Sequence, residues 1–229
     1  DVRVVGAGVA GVQAALEAGR AGKRVILMEQ QGHVGGRSPV DGGEIDGAPV
    51  QDWINAALEE IEKNPNITLI CRCMMAGLYD HLYAIGYERL SDHLEAKEGP
   101  RHRRWRVRAG QVITATGALE RPLSFVGNDV PGVMLASAMR DYLVNYGASP
   151  GDRTVIVTNN DDAYRTAIML QEAGLVVPAI IDARTRAEGV LPQAARAAGI
   201  TVNTGTGIAS VKGGKRVTGV ALCAQAGEG

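Results

Sequence analysis

The chain has 229 residues, 45% of them hydrophobic, enough to bury one good core and part of a second. A formal charge of −1 argues against nucleic acid or an anionic membrane surface as the main partner, and no apolar run is long enough to span a bilayer. The three cysteines, Cys71, Cys73 and Cys223, form no disulfide framework, and without a secretory leader they point to a reducing, cytoplasmic setting.

The first stretch, DVRVVGAGVAGVQAALEAGRAGKRVILMEQQGHVGGR, carries the strongest signal. An apolar run from Val2 to Val5 predicts a buried strand, and Gly6-Ala7-Gly8-Val9-Ala10-Gly11 follows it directly. Ala14, Ala15, Leu16, Ala18 and Ala21 then make a helical stripe that Gly22 stops, and Lys23–Met28 predicts the next strand, with Glu29 at its carboxyl end. That order is what a dinucleotide site needs. Gly6 permits the tight turn, Gly8 lets backbone approach a pyrophosphate, and Gly11 lets the helix pack on the strand. The helix N-terminus, at Val9 and Ala10, supplies amide donors and a positive dipole end. Glu29 falls where a carboxylate meets ribose hydroxyls, and its charge disfavours the 2′-phosphate of NADP.

Gly35-Gly36-Arg37 comes soon after the acid. The spacing resembles the ExxxxxGG(R) segment of FAD-binding oxidoreductases, which nominates Gly36 and Arg37 for the pyrophosphate, the other reading of Arg37 being a solvated loop arginine. A helix over Asp52–Glu62 ends at Asn64-Pro65-Asn66, and Ile67–Cys73 predicts a third parallel strand. In that strand Cys71 and Cys73 point to one face as small hydrophobes, since their C-x-C spacing is not that of a redox or zinc pair. In FAD-type folds the backbone after such a strand reaches the adenine, which nominates Met75 and Ala76.

Gly77–His81 predicts a connector and Tyr83–Asp92 a helix. The only basic cluster, Arg101–Arg108, alternates at Trp105 and Val107 and predicts a solvated strand of a β-meander rather than a nucleic-acid patch. Gln111–Gly117 predicts a strand ending in a small-residue turn, where Thr116 and Gly117 let backbone come near a cofactor. A helix over Ser137–Tyr146 precedes a second βαβ unit: strand Thr154–Thr158, helix Ala163–Ala173 and strand Leu175–Asp182. Its turn, Asn159–Tyr164, is not a glycine fingerprint. Asn160 and Tyr164 fill space that a pyrophosphate needs, and Asp161 and Asp162 add repulsion, so a vestigial half-site is expected. Helix Gln193–Ala198, strand Thr201–Thr204 and a hairpin of Ala209–Val211 with Arg216–Cys223 complete the chain.

The expected class is therefore α/β: a Rossmann-like FAD/NAD(P)-binding domain over residues 1–150, with a second, smaller inserted and degenerate α/β domain over 151–229. Both ends are abrupt, and the expectation is a fragment whose first domain lacks its closing strand. No catalytic residues and no metal site are expected. His33, His81, His93 and His102 are scattered, and His81 and His93, beside Asp80 and Asp92, are expected to serve structure.

The collected motifs resemble the α subunit of heterotetrameric sarcosine oxidases. The resemblance rests on GAGVAG with Glu29, Gly35-Gly36, Tyr79-Asp80-His81, Glu88-Arg89, Asp92-His93 and Arg104–Ala109. It continues through Ala115-Thr116-Gly117-Ala118 with Glu120-Arg121-Pro122, Asn128-Asp129 with Pro131–Ala136, and Thr158–Asp161 with Ala163-Tyr164. The α subunits of opine-type and cyanide-forming dehydrogenases share some of these pieces. The resemblance implies a four-subunit enzyme that oxidises sarcosine to glycine with hydrogen peroxide and formaldehyde, or methylenetetrahydrofolate. It further implies FAD in a β subunit, FMN near the α–β interface, smaller partner subunits, and a folate region later in the α chain. NAD, with FAD as the alternative, would sit in this stretch, at the glycine loop including Val9 and Ala10, at Glu29 and Gln30, near Arg37 and near Ala76. Such a stretch alone is expected to lack oxidase activity. The competing readings are a flavin reductase of the disulfide-reductase type, opposed by the lack of CxxC near Gly35–Asp41, and a scaffold holding a structural nucleotide.

Overall fold

The structure is a computed structural model that describes residues 1–95 and 99–225. The chain divides into two compact units, Asp1–Ala118 and Leu119–Gly229.

The first unit runs β1 (Val2–Val5), α1 (Val9–Arg20), β2 (Val25–Met28), a one-turn α2 (Ser38–Asp41), the short strands β3 (Glu44–Ile45) and β4 (Ala48–Pro49), and α3 (Val50–Lys63). It continues with β5 (Ile67–Ile70), β6 (Cys73–Tyr79), β7 (Tyr83–Arg89), β8 (His102–Arg108) and β9 (Gln111–Thr114). A parallel sheet in the order β5-β2-β1-β9 forms its centre. Val12, Ala15 and Leu16 of α1 and Ile54, Ala57 and Ile61 of α3 pack with Val4 and Leu27 of the sheet. Burying each of the larger side chains contributes about 1.5–3 kcal/mol. A second cluster of Met28, Ile70, Cys73 and Val107, with Trp105 against it, joins the sheet to the antiparallel meander β6-β7-β8. A Cβ at Gly19 of α1 would lie 2.6 Å from the Ile67 side chain, so only glycine lets this helix sit so close to β5.

Four expectations fail here. The predicted third strand ends at Ile70, because Arg72 turns the chain with φ +53° and Cys73 opens the meander. Cys71 and Cys73 consequently serve different clusters rather than one face. Tyr83–Asp92 is not helical: Tyr83–Arg89 is a strand whose buried Ala84 and Gly86 alternate with Tyr83, Ile85 and Tyr87, a period of two. Asp92 pairs not with His93 but with His102 at 2.8 Å and with Arg101 at 2.5 Å.

The second unit contains α4 (Ala136–Tyr146), β10 (Ile156–Thr158), α5 (Asp162–Glu172), β11 (Ala179–Asp182), α6 (Val190–Ala197), β12 (Thr201–Asn203), and the hairpin β13 (Thr206–Gly213) with β14 (Val217–Ala224). β10-β11-β12 form a parallel sheet. Gly147, at φ +59°, ends α4 in the left-handed conformation. The units divide at Ala118, earlier than the expected 150, because Met139 of α4 joins the cluster of Ile156, Tyr164, Leu170 and Ile180.

Candidate dinucleotide site

The glycine loop lies between β1 and α1, and each glycine meets a different steric demand. Gly6 has φ +93°, and a Cβ there would lie 2.3 Å from the Ala115 carbonyl oxygen. A Cβ on Gly11 would lie 1.9 Å from the Gly6 carbonyl oxygen and 3.1 Å from the Ala115 Cβ, so turn, helix and the end of β9 close together. Gly8 differs. The nearest atom to a Cβ there is the Gly36 Cα at 3.9 Å, an ordinary contact, so this position is not crowded. Gly8 is the N-cap of α1, with no side-chain capping bond. The amides of Val9, Ala10 and Gly11 begin a helix that has no acid in its own first turn.

A second glycine pair forms the neighbouring wall. The Gly35 amide donates to the Ala7 carbonyl at 2.7 Å, and Gly35 bridges to Gly8. Gly36, at φ +58°, comes so near that a Cβ would lie 3.0 Å from the Gly8 Cα. An opening bounded by bare backbone and a helix N-terminus fits the diphosphate of a dinucleotide.

Glu29 is 5% exposed. Its Oε2 accepts from the Ala7 amide at 2.7 Å and its Oε1 from the Gln31 amide at 2.8 Å, so the acid at the end of β2 also pins the glycine loop. Each oxygen keeps acceptor capacity for a further donor. Gln30 is exposed, and its carbonyl accepts from Arg89 at 3.2 Å. Arg37 is clamped by Asp41, with Nε and Nη2 at 3.1 and 3.0 Å from the carboxylate oxygens. Ala76 is exposed at the irregular step between Met75 and Gly77 in β6, in a different sheet from the loop. Thr116 and Gly117 follow β9, exposed, with Gly117 at φ +73° and nothing within 4 Å of its added Cβ. The fold thus gathers Gly6, Gly8, Val9, Ala10, Gly11, Gly36 and Glu29.

Several contacts near the loop and its sheet escaped sequence reasoning. The Arg37–Asp41 clamp was signalled only by its i,i+4 spacing. Arg3, inside the run read as apolar, is fully buried and donates to the Met28 sulfur at 3.0 Å; no sequence pattern announces it. Burial pushes the Cys73 thiol up to about 11, with Glu88 adding to the rise and Arg3 opposing it, and burial also raises Cys71. Among the described residues no cluster of three His, Cys, Asp or Glu is arranged to hold a metal.

The corresponding turn of the second unit is filled from within. Asp182, fully buried at the end of β11, accepts from the Tyr164 hydroxyl at 2.7 Å and from the Arg184 Nη2 at 2.7 Å and amide at 2.9 Å. Burial pushes its carboxyl up, yet the bonds from Arg184 and Tyr164 outweigh this and hold it below the usual carboxylate range. Arg184 also meets Asp161 at 2.8 Å. Arg140, 1% exposed, meets Asp162 Oδ2 at 2.6 Å.

Fold and loop together define the class: a Rossmann-like α/β fold of the kind seen in FAD/NAD(P)-binding oxidoreductases. Residues 1–63 match the family model described as FAD dependent oxidoreductase. The T. acidophilum thioredoxin reductase structure matches 100% of this chain over 72% of its own length, at a TM-score of 0.68 and 18% identity, which shows the shared fold. More particularly, the chain is 43% identical over 210 residues to the alpha subunit of sarcosine oxidase from Corynebacterium sp. (strain P-1), covering 90% of this chain and 22% of that relative. The A subunit of opine oxidase from Agrobacterium tumefaciens (strain Ach5) is 29% identical over 189 residues, covering 80% of this chain and 36% of the relative. The chain thus spans about a fifth of the length of the sarcosine oxidase relative (22%). Among the described residues no helix is long and apolar enough to cross a membrane.

Proposed function

We propose that this chain is the dinucleotide-binding portion of the α subunit of a multi-subunit, cytoplasmic sarcosine oxidase, and that it holds NAD. The observation that carries the reading is the 43% identity over 90% of the chain. A glycine loop alone is common to many dinucleotide folds, whereas this likeness runs through both units.

In this reading Gly6, Gly8, Val9, Ala10 and Gly11 receive the diphosphate on backbone amides, and Gly36 lines the other side. Arg37 turns from Asp41 to the phosphate. Glu29 keeps its bond to Ala7 and uses its remaining lone pairs, with Gln30, for a ribose. Ala76 lies toward the adenine, and Thr116 and Gly117 close the strand-end side. When bound, the nicotinamide dinucleotide supplies a hydride acceptor. The residues of this chain bind and orient it, and none is assigned a proton transfer. Sarcosine, dioxygen and water yield glycine, formaldehyde and hydrogen peroxide at flavin held mainly by a partner β subunit, with FMN near the contact and folate served by a later region of the α chain. The second unit is read as a Rossmann-type half without nucleotide, supported by the internal saturation of Asp182.

The test is to produce the full-length protein with its partner subunits, denature it, and identify the nucleotide released from the α chain by mass and absorbance. NAD is expected, and FAD from this chain would overturn the assignment. Sarcosine-dependent peroxide formation is expected from the assembly. Peroxide from an opine but not from sarcosine would move the protein to the opine oxidases.

A further inference from the structure

The outward face of the meander is chemically unlike the rest of the first unit. Strand pairing sets Met74, Tyr87 and Arg104 in one row and Tyr79, Tyr83 and Arg108 in another, with Arg106 between them. The buried residues Ala84 and Val107 alternate with these and face the core, so the rows point away from it. Met74 is 52%, Tyr79 56% and Tyr87 40% exposed. Among the described residues Arg104, Arg106 and Arg108 make no ion pair, whereas Arg101 and Arg103 are paired with Asp92 and Glu88. No Asp, Glu or Lys stands on this face of the three strands, although the chain as a whole carries a formal charge of −1. Surfaces that face only water mix signs. Tyrosine, methionine and arginine without lysine, aspartate or glutamate is the composition of an interface core.

Two groups are already positioned. The Arg108 guanidinium sits over the Tyr83 ring at 5.9 Å, and the Tyr87 ring lies 4.8 Å from that of His102. An arginine held against a ring loses less freedom when it meets a carboxylate. The same covering argues against single-stranded nucleic acid, because two of the three rings are not free to stack on bases. The arginine stripe also extends only ~13 Å, three alternate strand positions.

We propose that this face docks an acidic surface on a partner protein of the same assembly, Arg104, Arg106 and Arg108 meeting carboxylates around a tyrosine-rich centre. The proposal rests on the reading of this chain as one subunit of an assembly. The test uses the full-length protein with its partners and the triple variant Arg104→Glu, Arg106→Glu, Arg108→Glu. The affinity between subunits is expected to fall about a hundredfold or more, and wild-type association to weaken as salt rises. Circular dichroism and bound nucleotide should stay unchanged. Lys212→Glu, Lys215→Glu, Arg216→Glu carries the same charge change on the β13–β14 hairpin and should assemble normally.

Phenylglyoxal mapping on the wild type keeps the test open if the triple variant misfolds. The three arginines are expected to react in the free full-length chain and to be protected in the assembly. Equal reaction in both states, or protection already in the free chain, overturns the proposal. So does an assembly indifferent to the glutamates, or loss of oligonucleotide binding with subunit contact intact. A wild-type chain that never co-purifies with a partner overturns the subunit reading and this surface together; the other outcomes overturn the surface alone.

Discussion

Adding one methyl group at Gly8 and at Gly11 should have opposite consequences. At Gly11 it meets the Gly6 carbonyl at 1.9 Å, backbone against backbone, and no rotamer relieves it. Gly11→Ala should therefore destabilise the unit by about 1–3 kcal/mol and lose nucleotide with it. At Gly8 the nearest atom is 3.9 Å away, so Gly8→Ala should melt like the wild type yet release its nucleotide. Thermal melts paired with assay of bound nucleotide distinguish the two. Cysteine reactivity is a second residue-scale test. With its thiol raised to about 11 by burial, Cys73 should resist iodoacetamide at pH 8 while exposed Cys223 is alkylated, as peptide mapping would show. Asp92 gives a pH prediction. Arg101 and His102 hold its carboxyl at about 2, below its unfolded value, so its contribution is present above about pH 4 and is lost as pH falls toward 2. Asp92→Asn should remove that part of the acid dependence in denaturation curves recorded between those limits.

At the scale of elements, periodicity succeeded wherever one face was buried by a neighbour adjacent in sequence. α1, β1 and α3 declared themselves through apolar spacing and through stops at glycine or at Asn64-Pro65-Asn66. β7 did not, because Tyr83–Asp92 carries tyrosines on what proved to be its outward face, and a row of large residues reads as a helical stripe until the partner strands are known. The break at Arg72 was equally hidden, since Ile67–Cys73 is a continuous run of strand formers. Glu120 shows what motif reading misses. In the shared Ala115–Pro122 motif it is a cap, its carboxylate accepting from the Ala136 and Ser137 amides at 3.2 and 2.8 Å and so supplying the N-terminus of α4. Glu120→Ala should cost about 1 kcal/mol, read as faster hydrogen exchange in the first turn of α4.

At the scale of the whole molecule, the proposal gives nucleotide binding to the glycine loop and assembly to the outward face of the meander. The second unit spends polar groups on itself: Tyr164 and Arg184 donate to Asp182, and Asp161 forms an ion pair with Arg184. If this chain serves an oxidase whose chemistry lies on a partner's flavin, residues 1–229 produced alone should give no sarcosine-dependent peroxide. The assembled full-length protein should give it, as a coupled peroxidase assay would read.

The sequence by itself determined the parallel βαβ start and the glycine loop with its acid. Each follows from local rules: a positive φ needs glycine, a helix needs its apolar stripe, and a strand end needs a polar group. Only the tertiary structure decided that Gly8 is not crowded while Gly6 and Gly11 are, because the atoms that crowd them come in part from Ala115, more than a hundred residues along. It likewise decided that Glu29 holds Ala7 and that three arginines share one face with three tyrosines. Such facts depend on which distant backbone is brought near. Local propensity carries no record of that.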